Sequence, residues 1–117
     1  MIKRGVAVVV IASGFSSISA FAADKPTRFW NLTHRTIVEL RLAPAGTSTW
    51  GGDQCKNDRD GEVDQDERLR ITDTTSGRYD ARLRDKTGTQ CTVRNIAVRE
   101  GAVFSMSETD LTDCERR

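Results

Sequence analysis

Residues 79–94, YDARLRDKTGTQCTVR, decide the fold class, because two alternating segments flank a short polar turn. Every second side chain of residues 79–83 is apolar, and Cys91 and Val93 repeat this pattern after the turn. Alternation with a period of two is typical of a half-buried β-strand. Gly88 can adopt the positive φ that a tight turn needs, so this stretch predicts a β-hairpin.

Similar segments lie on both sides of the hairpin. Residues 38–42 alternate between apolar and charged side chains, and residues 69–71 and 103–106 are shorter segments of the same kind. The sequence SETD at 107–110 has the form of a helix start and predicts a helical turn over 108–113. Five to six short strands at this spacing predict an all-β domain: a small antiparallel sandwich or barrel with a short C-terminal helical turn.

The first 22 residues have the parts of a secretory signal peptide. Two basic residues precede the apolar run of residues 5–12, and residues 20–22 (AFA) form a small-x-small cleavage motif. We therefore expect cleavage near Ala22 and a single mature β domain, residues 23–117, that is periplasmic or secreted. Residues 24–28 (DKPTR) predict a flexible lead-in to this domain. The apolar run is too short for a membrane-spanning helix and no second one follows, so we expect no membrane span in the mature chain.

Charge is unevenly distributed along a nearly neutral chain. The net charge is +1 for all 117 residues and −1 once residues 1–22, with their two bases, are removed. Residues 53–67 hold seven acids and two bases, so the rest of the mature domain is mildly basic. So small a net charge excludes a protein that binds polyanions through its overall charge.

Three cysteines in a small exported domain predict one disulfide and one remaining thiol. Cys91 lies on the inward side of a predicted strand, where a thiol can be buried as a small apolar group. Cys55 lies in a polar loop and Cys114 near the C-terminus, where a thiol would be exposed to oxidation. We therefore expect a Cys55–Cys114 disulfide, with Cys91–Cys114 as the next pairing.

The segment KNDRDGEVDQDE, residues 56–67, has the carboxylate-rich pattern of a calcium loop. Its spacing around Gly61 matches an EF-hand loop at several positions, but Lys56 stands where the first acidic ligand belongs, and no helices flank it. We therefore reject an EF-hand. A looser calcium site between strands would use carboxylates that we name the acid cluster: Asp58, Asp60, Asp64, Asp66 and Glu67. The alternative is a solvated loop that nearby arginines neutralise.

Arginines form the second candidate site. Five fall on outward positions of predicted strands that we expect to be neighbours: Arg68, Arg70, Arg82, Arg84 and Arg94. Such a row can bind a carboxylate-rich protein or an acidic envelope polymer through bidentate contacts, and Trp50 in its loop is a further candidate contact. The alternative is a solvated face paired with acids such as Glu39 and Asp80. Stacking aromatics are missing from these strands, so we expect no nucleic acid as a partner.

The sequence has no recognisable catalytic motif. His34 is the only histidine and has no nucleophile motif beside it, and Gly-rich phosphate loops, HExxH and CxxC do not occur. We therefore do not expect an enzyme. Two function classes stay open: a non-catalytic exported binding module of unknown partner that requires no cofactor, and a calcium-binding β domain.

Five segments carry a resemblance to other proteins: FWNLT (29–33), PAG…WG (44–51), DRDG (58–61), RYDARLRDKTG..CTVRN (78–95) and VFSMSETDLTDC (103–114). Together they resemble a group of small exported bacterial proteins of uncharacterised function. The resemblance covers nearly all of the mature chain. It implies an exported β domain, and it supplies no activity, ligand or site residue.

Overall fold

The structure, a computed structural model, describes residues 25–116. The predicted signal peptide, residues 1–22, lies outside the described residues. Within residues 25–116 no helix is long and apolar enough to cross a membrane. The chain forms seven strands: β1 (Thr27–Leu32), β2 (Ile37–Pro44), β3 (Arg68–Ile71), β4 (Gly77–Asp85), β5 (Thr89–Val98), β6 (Val103–Ser107) and β7 (Thr112–Arg116). Short 3-10 helices cover Gln54–Asn57 and Glu108–Asp110.

The strands form two sheets that pack on each other. The three-stranded sheet has the order β3-β1-β6 and the four-stranded sheet the order β2-β4-β5-β7. Neighbouring strands are antiparallel except β1 and β6, which are parallel. One buried cluster takes side chains from both sheets, including Phe29 and Phe104 from the first and Leu40 and Leu83 from the second. The predicted all-β sandwich is therefore confirmed.

The predicted hairpin is also confirmed, as strands β4 and β5. Gly88 has a φ of 93° in the turn, where a side chain would be strained. The Asp85 carboxylate accepts hydrogen bonds from the backbone N–H groups of Thr87 and Thr89, at 2.9 and 3.0 Å. Asp85, the first residue of the turn, thus stabilises it, because an aspartate side chain commonly accepts hydrogen bonds from the backbone N–H groups that follow it.

The long connection between β2 and β3, residues 45–67, closes the outer edges of both strands. Ile37 exchanges two backbone hydrogen bonds of 2.9 Å with Val63, and the N–H of Leu40 donates to the Asp53 carboxylate at 3.0 Å. On the other sheet, the Asn57 amide donates to the carbonyl of Arg70 at 2.9 Å. Where an edge strand is covered in this way, its backbone N–H and C=O groups are not available to pair with a strand of a second chain.

Sequence patterning missed β1 and β7. The lead-in assigned to residues 24–28 is wrong, since β1 begins at Thr27, and its inward positions carry the buried polar residues Thr27 and Asn31 beside Phe29. The predicted helical turn over 108–113 is present only as far as Asp110, because β7 follows. All five residues of β7 are exposed, so no apolar alternation marks it as a strand.

The predicted Cys55–Cys114 disulfide is wrong: Cys91 and Cys114 form the bridge. These two residues lie on the neighbouring strands β5 and β7, so the bridge fastens the exposed last strand to the sheet. Cys55 is turned into the core from its 3-10 helix and is only 1% exposed, because that helix packs its inner side on the sandwich. The remaining thiol is therefore that of Cys55, which is buried although its sequence neighbours are polar. Burial raises the pKa of Cys55 to about 12.

Candidate functional site

The five arginines predicted to share one face lie on two different sheets. Arg68 and Arg70 lie on β3 of the three-stranded sheet, whereas Arg82, Arg84 and Arg94 lie on β4 and β5 of the four-stranded sheet. The two sheets cover opposite sides of the core, so a single row of these five side chains does not exist. The prediction that they are neighbours is wrong as a whole and correct within each sheet.

The three predicted arginines of the four-stranded sheet have partners. Arg84 and Arg41 both contact the Glu39 carboxylate, at 3.2 and 2.8 Å. The guanidinium of Arg82 lies 4.6 Å from the ring centroid of Trp50, so these two candidate contact residues cover each other. Arg41 and Arg84 thus share one carboxylate and Arg82 is stacked on an aromatic ring, so this face is paired in part, which is the alternative that the sequence left open.

Arg94, the third of these predicted arginines, lies between two acids. Its guanidinium is 3.7 Å from Asp80 and 3.5 Å from Asp113. Asp80 is 4% exposed and also accepts the backbone N–H groups of Gly46 and Asn95, at 3.0 and 2.9 Å. These backbone hydrogen bonds lower the pKa of Asp80, with a smaller contribution from the charge of Arg94. The carboxylate therefore connects the turn after β2 to strand β5.

Arg35 connects three parts of the structure at one end of the sandwich. Its guanidinium contacts Asp85 at 3.0 Å and Glu108 at 2.8 Å, and it lies 3.5 Å from the Cys91 sulfur. The hydrogen bond from Arg35 lowers the pKa of Glu108, and the N–H of His34 adds to this effect. Burial raises the pKa of Asp85, but hydrogen bonds from Thr87, Thr89 and Arg35 outweigh it, and the net shift is downward. Arg35 is thus part of a structural ion network.

The three-stranded sheet carries a different kind of arginine cluster. Arg28 on β1 is the register partner of Arg70 on β3, and Arg68 is the register partner of Trp30. All three arginines are exposed, and we name them the arginine triad: Arg28, Arg68 and Arg70. Within residues 25–116 none of them forms an ion pair. Three positive charges therefore lie together without an ion pair among the described residues.

Trp30 orders one member of the triad. The Arg68 guanidinium lies 4.2 Å from the centroid of the Trp30 ring, in cation–π contact. The indole N–H donates to the Asp66 carboxylate at 3.0 Å, which fixes the ring. Arg68 is thus held by its flat face, while its N–H groups keep their capacity to bind an anion.

The triad lines an open concavity of about 410 Å³, together with Pro26 and Asn57. Like charges opposite each other on adjacent strands destabilise a sheet, so the Arg28–Arg70 pair is unfavourable for folding alone. Sequence reasoning missed Arg28 because residues 24–28 had been read as a lead-in rather than a strand. The signal that could have found it is the alternation of Arg28 and Trp30 with the apolar Phe29.

The acid cluster does not converge on one point. Asp58 accepts the N–H of Asp60 at 2.8 Å, Asp64 accepts the Thr36 hydroxyl at 2.9 Å, and Glu67 accepts the N–H of Asp64 at 2.9 Å. Asp66 is bound to Trp30, as described above. No group of three or more acidic, histidine or cysteine side chains in the described part of the chain is arranged to hold a metal ion.

Two of the carboxylates, those of Asp58 and Glu67, stabilise local turns. Asp58 closes the turn that precedes Gly61, whose φ is 75°, and Asp66 itself has a φ of 71°. Short polar side chains commonly stabilise such left-handed positions by hydrogen bonding to nearby backbone. Local hydrogen bonding thus gives Asp58 a role without an ion, and calcium binding by the acid cluster stays a prediction.

Compared with known proteins, the chain matches no protein-family model, no curated protein and no solved structure. The resemblance to small exported bacterial proteins stays a prediction.

Proposed function

We propose that this protein is a non-catalytic binding module that acts outside the cytoplasm and binds an anionic partner through the arginine triad. The Cys91–Cys114 disulfide is compatible with an exported protein, because disulfides persist in oxidising compartments. The signal-peptide pattern of residues 1–22 supports the same location, in the periplasm or outside the cell. A binding role needs no cofactor and no catalytic motif.

The observation that carries this proposal is the contrast in neutralisation. Arg28, Arg68 and Arg70 line one concavity without an ion pair in the described residues, while Arg41, Arg84 and Arg94 of the other sheet contact acids. Folding alone favours neutralised arginines, since adjacent like charges repel. An uncompensated cluster is explained when a partner supplies the negative charge.

Arginine chemistry fits phosphate, sulfate and carboxylate groups. The planar guanidinium donates two parallel hydrogen bonds to such groups, and these charge-assisted bonds are stronger than neutral ones. Two members of the triad face each other across β1 and β3, at the strand separation of about 4.8 Å. They can therefore contact one anionic group or two neighbouring groups of a repeating partner.

The test measures binding to a soluble sulfated polysaccharide at several salt concentrations. We expect binding that weakens as ionic strength rises, because exposed charges are screened. The double variant Arg28→Ala/Arg70→Ala should bind at least tenfold more weakly. Arg41→Ala/Arg84→Ala removes the same total charge from the other sheet and should bind within twofold of the unaltered protein.

Two results would overturn the proposal. Equal loss in both double variants would mean that net charge, rather than the triad, determines binding. The absence of salt-sensitive binding by the unaltered protein would mean that the triad does not bind anions of this kind.

A further inference from the structure

An exposed apolar side chain lies beside the arginine triad. Val103 is 48% exposed, and it is the one exposed large hydrophobic residue among residues 25–116. It begins β6, where its register partner on β1 is Arg28. Parallel neighbours in a sheet are about 4.8 Å apart, so the apolar group and the guanidinium stem share one surface.

Val103 also borders a second concavity, of about 480 Å³, at the same end of the sandwich. Small apolar side chains from β5 and the following turn line it, namely Ala97, Val98 and Ala102. Arg78 and Arg99 lie at its margin. The Arg78 guanidinium donates to the carbonyl of Asn95 at 3.2 Å, and neither arginine forms an ion pair within the described residues.

The acid nearest to this concavity in sequence is Glu100, which is engaged locally. Its carboxylate accepts the N–H of Ser76 at 3.4 Å, and its own N–H donates to the Ser76 hydroxyl at 2.9 Å. Glu100 therefore bridges two turns and makes no ion pair with Arg78 or Arg99. Basic groups thus flank a small apolar patch on two sides: the triad on one side, Arg78 and Arg99 on the other.

We propose that this end of the sandwich docks on the surface of an anionic lipid bilayer. The proposal rests on the proposed function, since it names the anionic partner of the triad. The arginines contact lipid phosphates, and Val103 with the neighbouring alanines enters the apolar boundary between the headgroups and the acyl chains. Charge attraction and apolar burial add at such an interface, and neither is strong alone.

A bilayer explains more of this surface than a soluble polyanion does. A polyanion in water binds the guanidinium groups and gains nothing from the Val103 concavity, whereas a lipid surface presents phosphates next to apolar chains. Trp30 adds a half-buried aromatic ring to the same face, and indole rings favour the interfacial region. The apolar patch is small, so attachment is reversible.

The experiment compares sedimentation with two kinds of vesicle, using the chain as recovered after export. One vesicle contains equal parts of phosphatidylglycerol and phosphatidylcholine, and the other only phosphatidylcholine. We expect binding to the first that is at least tenfold stronger than binding to the second. Val103→Ser should weaken binding to the anionic vesicles about fivefold and change binding to the sulfated polysaccharide by less than twofold. The serine is compatible with the strand, since Ser105 occupies an exposed position two residues further along β6.

The outcomes separate the two proposals. Vesicle binding that Val103→Ser does not change would overturn the bilayer proposal. Binding to the polysaccharide without binding to anionic vesicles would also overturn it, while leaving the triad as an anion site for a soluble partner. Failure to bind either probe would overturn both.

Discussion

The two sheets carry arginines in the same alternating pattern but use them differently. On the four-stranded sheet, Arg41 and Arg84 both contact Glu39, and Arg94 lies between Asp80 and Asp113. On the three-stranded sheet, the arginine triad has no acidic partner within residues 25–116 and adjoins an exposed valine. Cross-strand neighbours, rather than alternation along one strand, therefore decide whether an outward arginine stabilises the fold or is available to a partner.

The largest expected effect lies in the disulfide that fastens the four-stranded sheet. Cys114→Ala should lower the free energy of unfolding by about 3 kcal/mol, because the bridge closes a loop of intermediate length. The described part of the three-stranded sheet contains no disulfide. Its arginine variants should therefore lower the free energy of unfolding by much less than Cys114→Ala does. Urea denaturation measures the difference, and equal midpoints with and without the bridge would contradict the account.

The thiol count checks the same pairing independently. One thiol per molecule should react under denaturing, non-reducing conditions, and Cys55 should react slowly in the native protein because it is buried and its pKa is raised to about 12. Three reactive thiols per denatured molecule would exclude the disulfide.

The next effect tests whether the acids of the four-stranded sheet are structural. Asp80→Ala leaves two backbone N–H groups, those of Gly46 and Asn95, without their acceptor and should cost about 2 kcal/mol. Glu100→Ala is the control, because Glu100 is exposed and accepts one long hydrogen bond of 3.4 Å. Equal free energies of unfolding for the two variants would show that the buried Asp80 carboxylate stabilises the fold no more than the exposed Glu100 carboxylate does.

Acid pH should reduce the stabilisation that Asp80, Asp85 and Glu108 contribute, and it should leave the charge of the triad unchanged. The pKa values of Asp80, Asp85 and Glu108 are lower in the folded protein than their ordinary values of 3.8, 3.8 and 4.5. Their stabilisation is therefore fully present above those ordinary values and is lost as pH falls through them toward the folded pKa values.

Thermal unfolding at a series of pH values measures this loss. Guanidinium groups remain charged throughout that range, so the triad contributes no pH dependence of its own. Arg35→Met removes the partner of Asp85 and Glu108 and should flatten the acid limb of the curve. An unchanged acid limb in this variant would show that the ion network around Arg35 does not set the pH dependence.

The smallest expected effect concerns calcium. The carboxylates of the acid cluster face different hydrogen-bond partners, so we expect no calcium-specific change in melting temperature relative to EDTA, with magnesium as the comparison. A rise with calcium that Asp58→Asn/Asp60→Asn abolishes would show that the loop rearranges around the ion. The acid cluster would then be a binding site for calcium, in addition to the anion site at the arginine triad.

The sequence predicted the hairpin and the sandwich because both depend on local features. Period-two alternation indicates which face of a strand is buried, and Gly88 indicates a turn with a positive φ. The same patterning missed β1, since the inward Thr27 and Asn31 are polar, and β7, since nothing on that strand is buried. It paired the cysteines wrongly because exposure of a loop residue was inferred from its polar neighbours. Cys55 is buried by a turn that these neighbours themselves form.

The site was predicted only in part, for a topological reason. Arg68 and Arg70 were recognised as outward residues, but their separation from Arg82, Arg84 and Arg94 depends on the strand order, and alternation along a strand does not encode that order. Arg28 was missed with β1. The contribution of Val103 depends on the parallel pairing of β1 with β6, which is the least local contact in the sandwich.

The most direct test of the central claim measures stability and anion binding in the two matched double variants. Arg28→Ala/Arg70→Ala should retain the stability of the unaltered protein, within about 0.5 kcal/mol, and lose binding to the sulfated polysaccharide. Arg41→Ala/Arg84→Ala should lose about 0.5–1 kcal/mol of stability and retain binding. If the first variant unfolds more easily while still binding the polymer, the triad is structural and the account is contradicted.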